Sequence, residues 1–136
     1  MSVKDIENFH CALYGVGDRL GRILAFIKDE EKEKIEEIRI RAQKPLALTK
    51  SGKVYFVNSK SLLEENSQNA VLVTKEDVDE AFKQLIANSV YSHINEIKQG
   101  FVMMKGGCRA GIAGAFSQQV GLTDISSVNI RIAREI

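Results

Sequence analysis

The chain lacks most of the features that announce a chemical activity. It carries no charge of one dominant sign: 19 Lys and Arg stand against 18 Asp and Glu, a formal net charge of +1. No global field therefore draws it to nucleic acid or to an anionic membrane, and only a local patch would. No apolar run approaches the roughly 18 residues that a membrane-spanning helix requires. The opening Met1-Ser-Val-Lys-Asp5, with further acidic residues close behind, is not a secretory signal peptide. Only two cysteines are present, Cys11 and Cys108, far apart and in no CxxC pair. They read as free thiols in a reducing cytosol. The two histidines, His10 and His93, have no second ligand at metal spacing. Nothing local supports a Ser-His-Asp or Cys-His arrangement, and the carboxylates fall on helix surfaces rather than in a catalytic pair.

A phosphate-binding loop is also missing. Gly106, Gly107, Gly111 and Gly114 form a glycine-rich stretch. A P-loop, however, opens directly into a helix and ends in Lys followed by Ser or Thr. Here Gly107 leads into a strand pattern. Gly52-Lys53 is followed by Val54, without the upstream glycine. Gly111 and Gly114 read instead as close packing or a bulge within a strand.

The 136 residues, 44% of them hydrophobic, suffice for one domain with a real core. Ile6, Phe9 and Leu13 recur at helical spacing, and Gly15 and Gly17 punctuate. Asp18 is placed to cap a second helix with an apolar stripe of Leu20, Ile23, Leu24 and Ile27. The charged run Lys28–Glu37 reads as a solvated helix end and connector.

From Ile38 the period changes to two. Ile38, Ile40 and Ala42 alternate with Arg39 and Arg41. Leu46–Thr49 and Val54–Val57 flank Lys50-Ser-Gly-Lys53 as a hairpin. Residues 58–70 read as a polar surface loop, with a turn of helix near Leu62 and Leu63. Thr74 and Asp77 resemble a capping box ahead of a helix presenting Val78, Phe82, Leu85 and Ile86. A further helical segment near 89–98, with Val90, Ile94 and Ile97, ends at Gly100. Phe101–Met104 and Cys108–Phe116 flank Gly106-Gly107, which suits a two-residue primed turn. Last comes Asp124–Ile136, with Val128, Ile130 and Ile132 on one face and Asn129 and Arg131 on the other. It stops without a cap or polar tail, as at the edge of a domain within a longer protein. The order is helices, strands, helices, strands: an α+β sandwich with a mainly antiparallel sheet.

Parity singles out the arginines. Arg39 and Arg41 share the polar face of the first strand, Arg109 opposes Ile112, and Arg131 opposes Val128, Ile130 and Ile132. If these strands pair, four guanidinium groups share one face. Each is then either an ordinary solvated or ion-paired strand residue, or part of an anion-facing or subunit-facing patch. Tyr55, Tyr91 and Phe101 are too scattered to form a stacking platform for single-stranded nucleic acid.

Five blocks resemble the stage III sporulation protein AA family, in order and over nearly the whole chain. They are Ile35–Leu48, Val73–Asp77, Gln99–Phe101, Gly106–Gly111 and, most specifically, Asp124–Glu135. The resemblance implies the front part of a sporulation ATPase similar to the motors of type II and type IV secretion. A helical segment over 1–34 would precede a PAS-like α+β domain over 35–136, with helices on one face of its sheet, truncated before a P-loop domain. It implies ATP and Mg in the parent protein and no cofactor in this part. The expected partners are other copies in a ring, a hexamer, and the channel proteins between mother cell and forespore. The implied location is the mother-cell cytoplasm, peripheral to the membrane, with no nucleic acid expected. By the same resemblance, Arg131 and Arg134 lie nearest the junction with the motor domain and are the first candidates for contact with nucleotide, anion or neighbouring subunit. Arg109, Arg41 and Arg39 follow.

The expected role is assembly without chemistry in this part. A nucleic-acid-binding module using the arginine face is the alternative. A small-ligand sensor is the third class, because PAS-like shapes often enclose a cavity.

Overall fold

The computed structural model describes residues 3–87, 99–117 and 121–134. Helix α1 (Val3–Ala12) passes through a 3-10 turn, Leu13–Gly15, into α2 (Asp18–Ala25). The single turn α3 (Asp29–Lys32) leads to β1 (Ile35–Arg41), β2 (Ala47–Lys50), β3 (Lys53–Val57) and the short β4 (Leu63–Glu64). Helix α4 (Lys75–Ala87) precedes β5 (Phe101–Met103), β6 (Arg109–Ser117) and β7 (Gly121–Arg131). The described strands form one sheet in the order β4-β3-β2-β1-β7-β6-β5, antiparallel at each pairing. The α+β class and the antiparallel sheet agree with the sequence pattern.

The last strand lies inside the sheet, between β1 and β6. Ile38 opposes Leu48 on one side and Ile130 on the other, and Ile40 opposes Val128. Ala110 and Ile112 of β6 continue these rows, and Val102 of β5 closes one of them. All of these side chains are buried. Phe9 and Ala12 of α1, Leu20 and Leu24 of α2, and Val78, Ala81 and Leu85 of α4 belong to the same core cluster. The helices therefore cover one face of the sheet, and those preceding β1 share its core. Burying each Leu, Ile or Val in that layer contributes about 1.5–3 kcal/mol.

The capping box forms reciprocally. Asp77 N–H donates to Thr74 Oγ1 at 3.1 Å, and Thr74 N–H donates to Asp77 Oδ2 at 2.8 Å. Arg19 of α2 clamps the same carboxylate, with Nη2 to Oδ2 at 2.5 Å and Nε to Oδ1 at 3.1 Å, and donates to the Leu72 carbonyl at 2.7 Å. Burial works to raise the Asp77 pKa, but the hydrogen bonds from Arg19 and Thr74 outweigh it and hold the carboxyl below its usual value.

Several expectations are corrected. Asp18 does not cap α2. The N-cap position is Gly17, whose N–H donates to Gln84 Oε1, while the Asp18 N–H donates to Glu80 Oε1, both at 3.0 Å. Helix α4 thus caps α2 from outside, a long-range partner that local spacing does not reveal. The Lys28–Glu37 run is not wholly solvated. Lys32 is buried, donates to the Ala25 carbonyl at 2.7 Å and lies 3.0 Å from His10 Nε2. Desolvation first, and the Lys32 ammonium second, push the His10 pKa down. Strand β1 starts at Ile35 rather than Ile38, with a register irregularity between Ile35 and Glu37. Leu63 is in an edge strand and Leu62 beside it is half exposed, with no helical turn.

The β2–β3 hairpin has the two-residue turn Ser51-Gly52, both at positive φ. At β5–β6 the loop holds three residues rather than two, because Met104 N–H donates to the Cys108 carbonyl and Gly107 N–H to the Met104 carbonyl. Gly106 and Gly107 still take φ of 88° and 91°, a region open chiefly to glycine. Gly114 sits at a register shift, and a Cβ there would lie 1.9 Å from the Asp124 carbonyl oxygen. Gly111 is not tightly packed: a Cβ there meets nothing nearer than 3.9 Å. Gly100 has a φ of 84°. The helical segment expected before it, with Val90, Ile94 and Ile97, lies outside the described residues.

Two outcomes follow. Gly114→Ala should cost more than about 2 kcal/mol in urea unfolding, by forcing Cβ into backbone, whereas Gly111→Ala should stay within about 0.5 kcal/mol. Asp77→Asn should destabilise at pH 7 by about 1–2 kcal/mol. The Asp77 carboxylate has a depressed folded-state pKa. Its contribution is present above the unfolded value of about 3.9 and is lost as pH falls through the folded one. The gap between wild type and Asp77→Asn should therefore close in unfolding titrations carried into strong acid.

Candidate functional site on the open sheet face

Alternation along β1, β6 and β7 buries one set of side chains and sends the other to the face that the described helices leave open. Register then fixes the neighbours. Glu37 opposes Arg131, which opposes Arg109. Arg39 opposes Asn129, which opposes Gly111, and Arg41 opposes Ser127. Arg39, Arg41, Arg109 and Arg131 do share one face, as parity predicts.

One carboxylate serves two of them. Arg39 Nε donates to Glu37 Oε1 at 2.7 Å, while Arg131 Nη2 stands 3.8 Å from Glu37 Oε2. The Glu37 side chain is mostly buried and that of Arg131 is 79% exposed. Arg109 stacks over the Phe101 ring, 4.4 Å from its centroid, a contact worth about 0.5–1 kcal/mol at an exposed site. Among the described residues no carboxylate pairs with Arg109 or Arg41. Like charges directly opposite on a sheet repel, so Arg109 and Arg131 stand as a cationic pair with half a counter-charge.

Two hollows share Glu37 and Arg131. One, of about 300 Å³, is lined by Glu37, Arg109, Gly111, Asn129 and Arg131. The other, of about 410 Å³, adds Glu36, Thr49, Ile132 and Arg134. Thr49 Oγ1 and Asn129 Oδ1 are shielded from solvent with no hydrogen-bond partner among the described residues. A larger depression of about 530 Å³ lies over the outer side of α2, around Tyr14, Gly17 and Gly21. It gathers no comparable set of charges. No group of three or more potential metal ligands occurs among the described residues.

Arg134 lines the second hollow but is bound differently. Its two terminal nitrogens donate to the Glu33 and Ile35 carbonyls, and Nη1 lies 3.5 Å from Asp5 Oδ2. It ties the end of the last strand to α1 and to the entry of β1. Glu37, Phe101, Thr49 and Asn129 were not named as site residues by the sequence reading, although it placed Asn129 on the same face as Arg131. For Glu37 the signal was available, since it precedes Arg39 by two residues and must share its face.

A family model described as sporulation stage III, protein AA matches residues 14–136. The chain belongs to the stage III sporulation protein AA family. Stage III sporulation protein AA of Bacillus subtilis (strain 168) is 33% identical over 116 residues, which cover 82% of this chain and 34% of that relative. The chain thus spans about a third of the length of the relative it matches. No solved structure matches. No helix among the described residues is long and apolar enough to cross a membrane.

The two leading arginines of this family member should separate by stability. Arg134→Ala removes charged donors from two backbone carbonyls and should cost about 1–3 kcal/mol in denaturant unfolding. Arg131→Ala, on a well-solvated side chain, should change stability by no more than about 0.5 kcal/mol.

Proposed function

We propose that this chain is the non-catalytic accessory part of a sporulation ATPase. It positions a motor domain and neighbouring copies within a ring, a hexamer in the whole protein, at the channel between mother cell and forespore. ATP and Mg belong to the whole protein. The PAS-like shape, the mother-cell cytoplasmic location and contacts with other channel proteins belong to the same proposal. Family membership supports the sporulation role. The observation that carries the assembly role is the sheet face left open by the described helices, with four arginines and one largely buried carboxylate. Such a face is built for contact with another charged surface, and Arg131 joins its two hollows. Arg131 and Arg109 are the residues proposed to reach an anion or a neighbouring subunit, with Arg39 and Arg41 flanking them. Arg134 would act by holding the strand end in place.

Phosphoryl transfer requires a phosphate cradle and metal ligands, and the sequence holds neither motif. The isolated chain should therefore release no phosphate from ATP and Mg above a buffer control. Turnover that co-purifies with the chain and disappears on a point substitution within it would overturn the proposal. In the whole protein, Arg109→Ala with Arg131→Ala should lower both turnover and ring mass, read by a phosphate-release assay and native mass spectrometry. The same face supports nucleic-acid binding as the second reading. That reading requires affinity that falls steeply with salt.

A further inference from the structure

We propose that the Arg109–Arg131 hollow takes the side-chain carboxylates of an acidic protein segment from a partner chain. The inference rests on the reading of this face as an assembly surface and names the chemistry of what it receives. The two guanidinium groups are cross-strand neighbours, and Glu37, the one carboxylate among the described residues within ion-pair distance of either, already accepts from Arg39 at 2.7 Å and stands 3.8 Å from Arg131. Phe101 holds the Arg109 plane from beneath. This arrangement suits planar carboxylates, which accept two parallel N–H bonds from an arginine fork.

Three features favour a peptide over a phosphate or nucleotide. First, the hollow lies on paired strands, so the sheet ladder uses the main-chain N–H groups that cradle phosphates elsewhere. Second, the hollow holds only about 300 Å³, small for a nucleotide, whereas a flat face can meet an extended segment along its length. Third, the hollow is also lined by Asn129, whose Oδ1 is an acceptor with no hydrogen-bond partner among the described residues. A peptide brings both carboxylates and N–H groups.

The test is a titration of the whole 136-residue chain with hexaglutamate, inorganic phosphate and ATP in turn, followed by nuclear magnetic resonance shifts of Gly111, Asn129 and Arg131. Hexaglutamate should bind at low salt and perturb all three residues. Arg109→Ala and Arg131→Ala should each weaken it about tenfold, with Arg131→Lys intermediate and Arg22→Ala, on α2, unchanged. Thermal melts of each variant should match wild type, so lost binding is not lost fold. No shift with hexaglutamate, equal affinity in Arg131→Ala, or tighter binding of phosphate or ATP at these residues would overturn the proposal. The whole protein separates the two readings. Rings that persist in the Arg109→Ala, Arg131→Ala variant would refute the assembly role, while hexaglutamate binding lost by the same variant would still support the carboxylate site.

Discussion

Ile38 and Ile40 of β1 lie directly against Ile130 and Val128 of β7, at the centre of the sheet. This ladder joins the β2–β3–β4 side to the β5–β6 side, and among the described residues no other pairing bridges them. It also decides which way each side chain faces. Strand side chains alternate, so slipping one residue would turn Val128 and Ile130 out to solvent and drive Asn129 and Arg131 into the core. With several fully buried aliphatic side chains at stake, at about 1.5–3 kcal/mol each, the register is strongly fixed. The arginine face is the obligatory reverse side of that apolar layer.

The helices reinforce the same arrangement through polar links at their ends. Arg19 ties α2 to the Thr74–Asp77 cap of α4, and Glu80 and Gln84 return the tie by capping α2. Arg134 closes the other side, holding the strand end to α1 and to the entry of β1. These groups act on position more than on net energy. Each satisfies a helix-end donor or a strand-end carbonyl that would otherwise lack a partner. Among the described residues, the four arginines on the far side of the sheet are tied only by the Arg39–Glu37 bond, the looser Arg131–Glu37 pair and the stacking of Arg109 on Phe101.

What was legible in the sequence was what period and local chemistry encode. The alternation of Val128, Ile130 and Ile132 located the buried face of β7, and Thr74 with Asp77 marked the start of α4. Parity put four arginines together before any pairing was known. What was not legible depended on long-range partners. The cap of α2 comes from residues more than sixty positions away. Lys32 is buried because the Ala25 carbonyl and His10 receive it, although its neighbours in sequence all suggested solvent. The central place of β7 is a topological fact that alternation alone does not contain. At the site, sequence reading grouped Arg134 with Arg131, yet geometry separates their duties: one guanidinium faces backbone carbonyls, the other solvent. A family resemblance that covers residues 14–136 also says little about which of five arginines is free to act.

The face opposite the helices is where fold and proposed role meet, and its composition follows from the β1–β7 register. That register can be read directly in solution. Ala42 N–H donates to the Ser126 carbonyl and Ile132 N–H to the Glu36 carbonyl, so Glu37–Arg131, Arg39–Asn129 and Arg41–Ser127 are the non-hydrogen-bonded pairs, whose Cα atoms lie closest. Cross-strand Hα–Hα nuclear Overhauser contacts should link these three pairs. Contacts displaced by one residue, such as Ile38 to Asn129, or none between β1 and β7, would contradict the account.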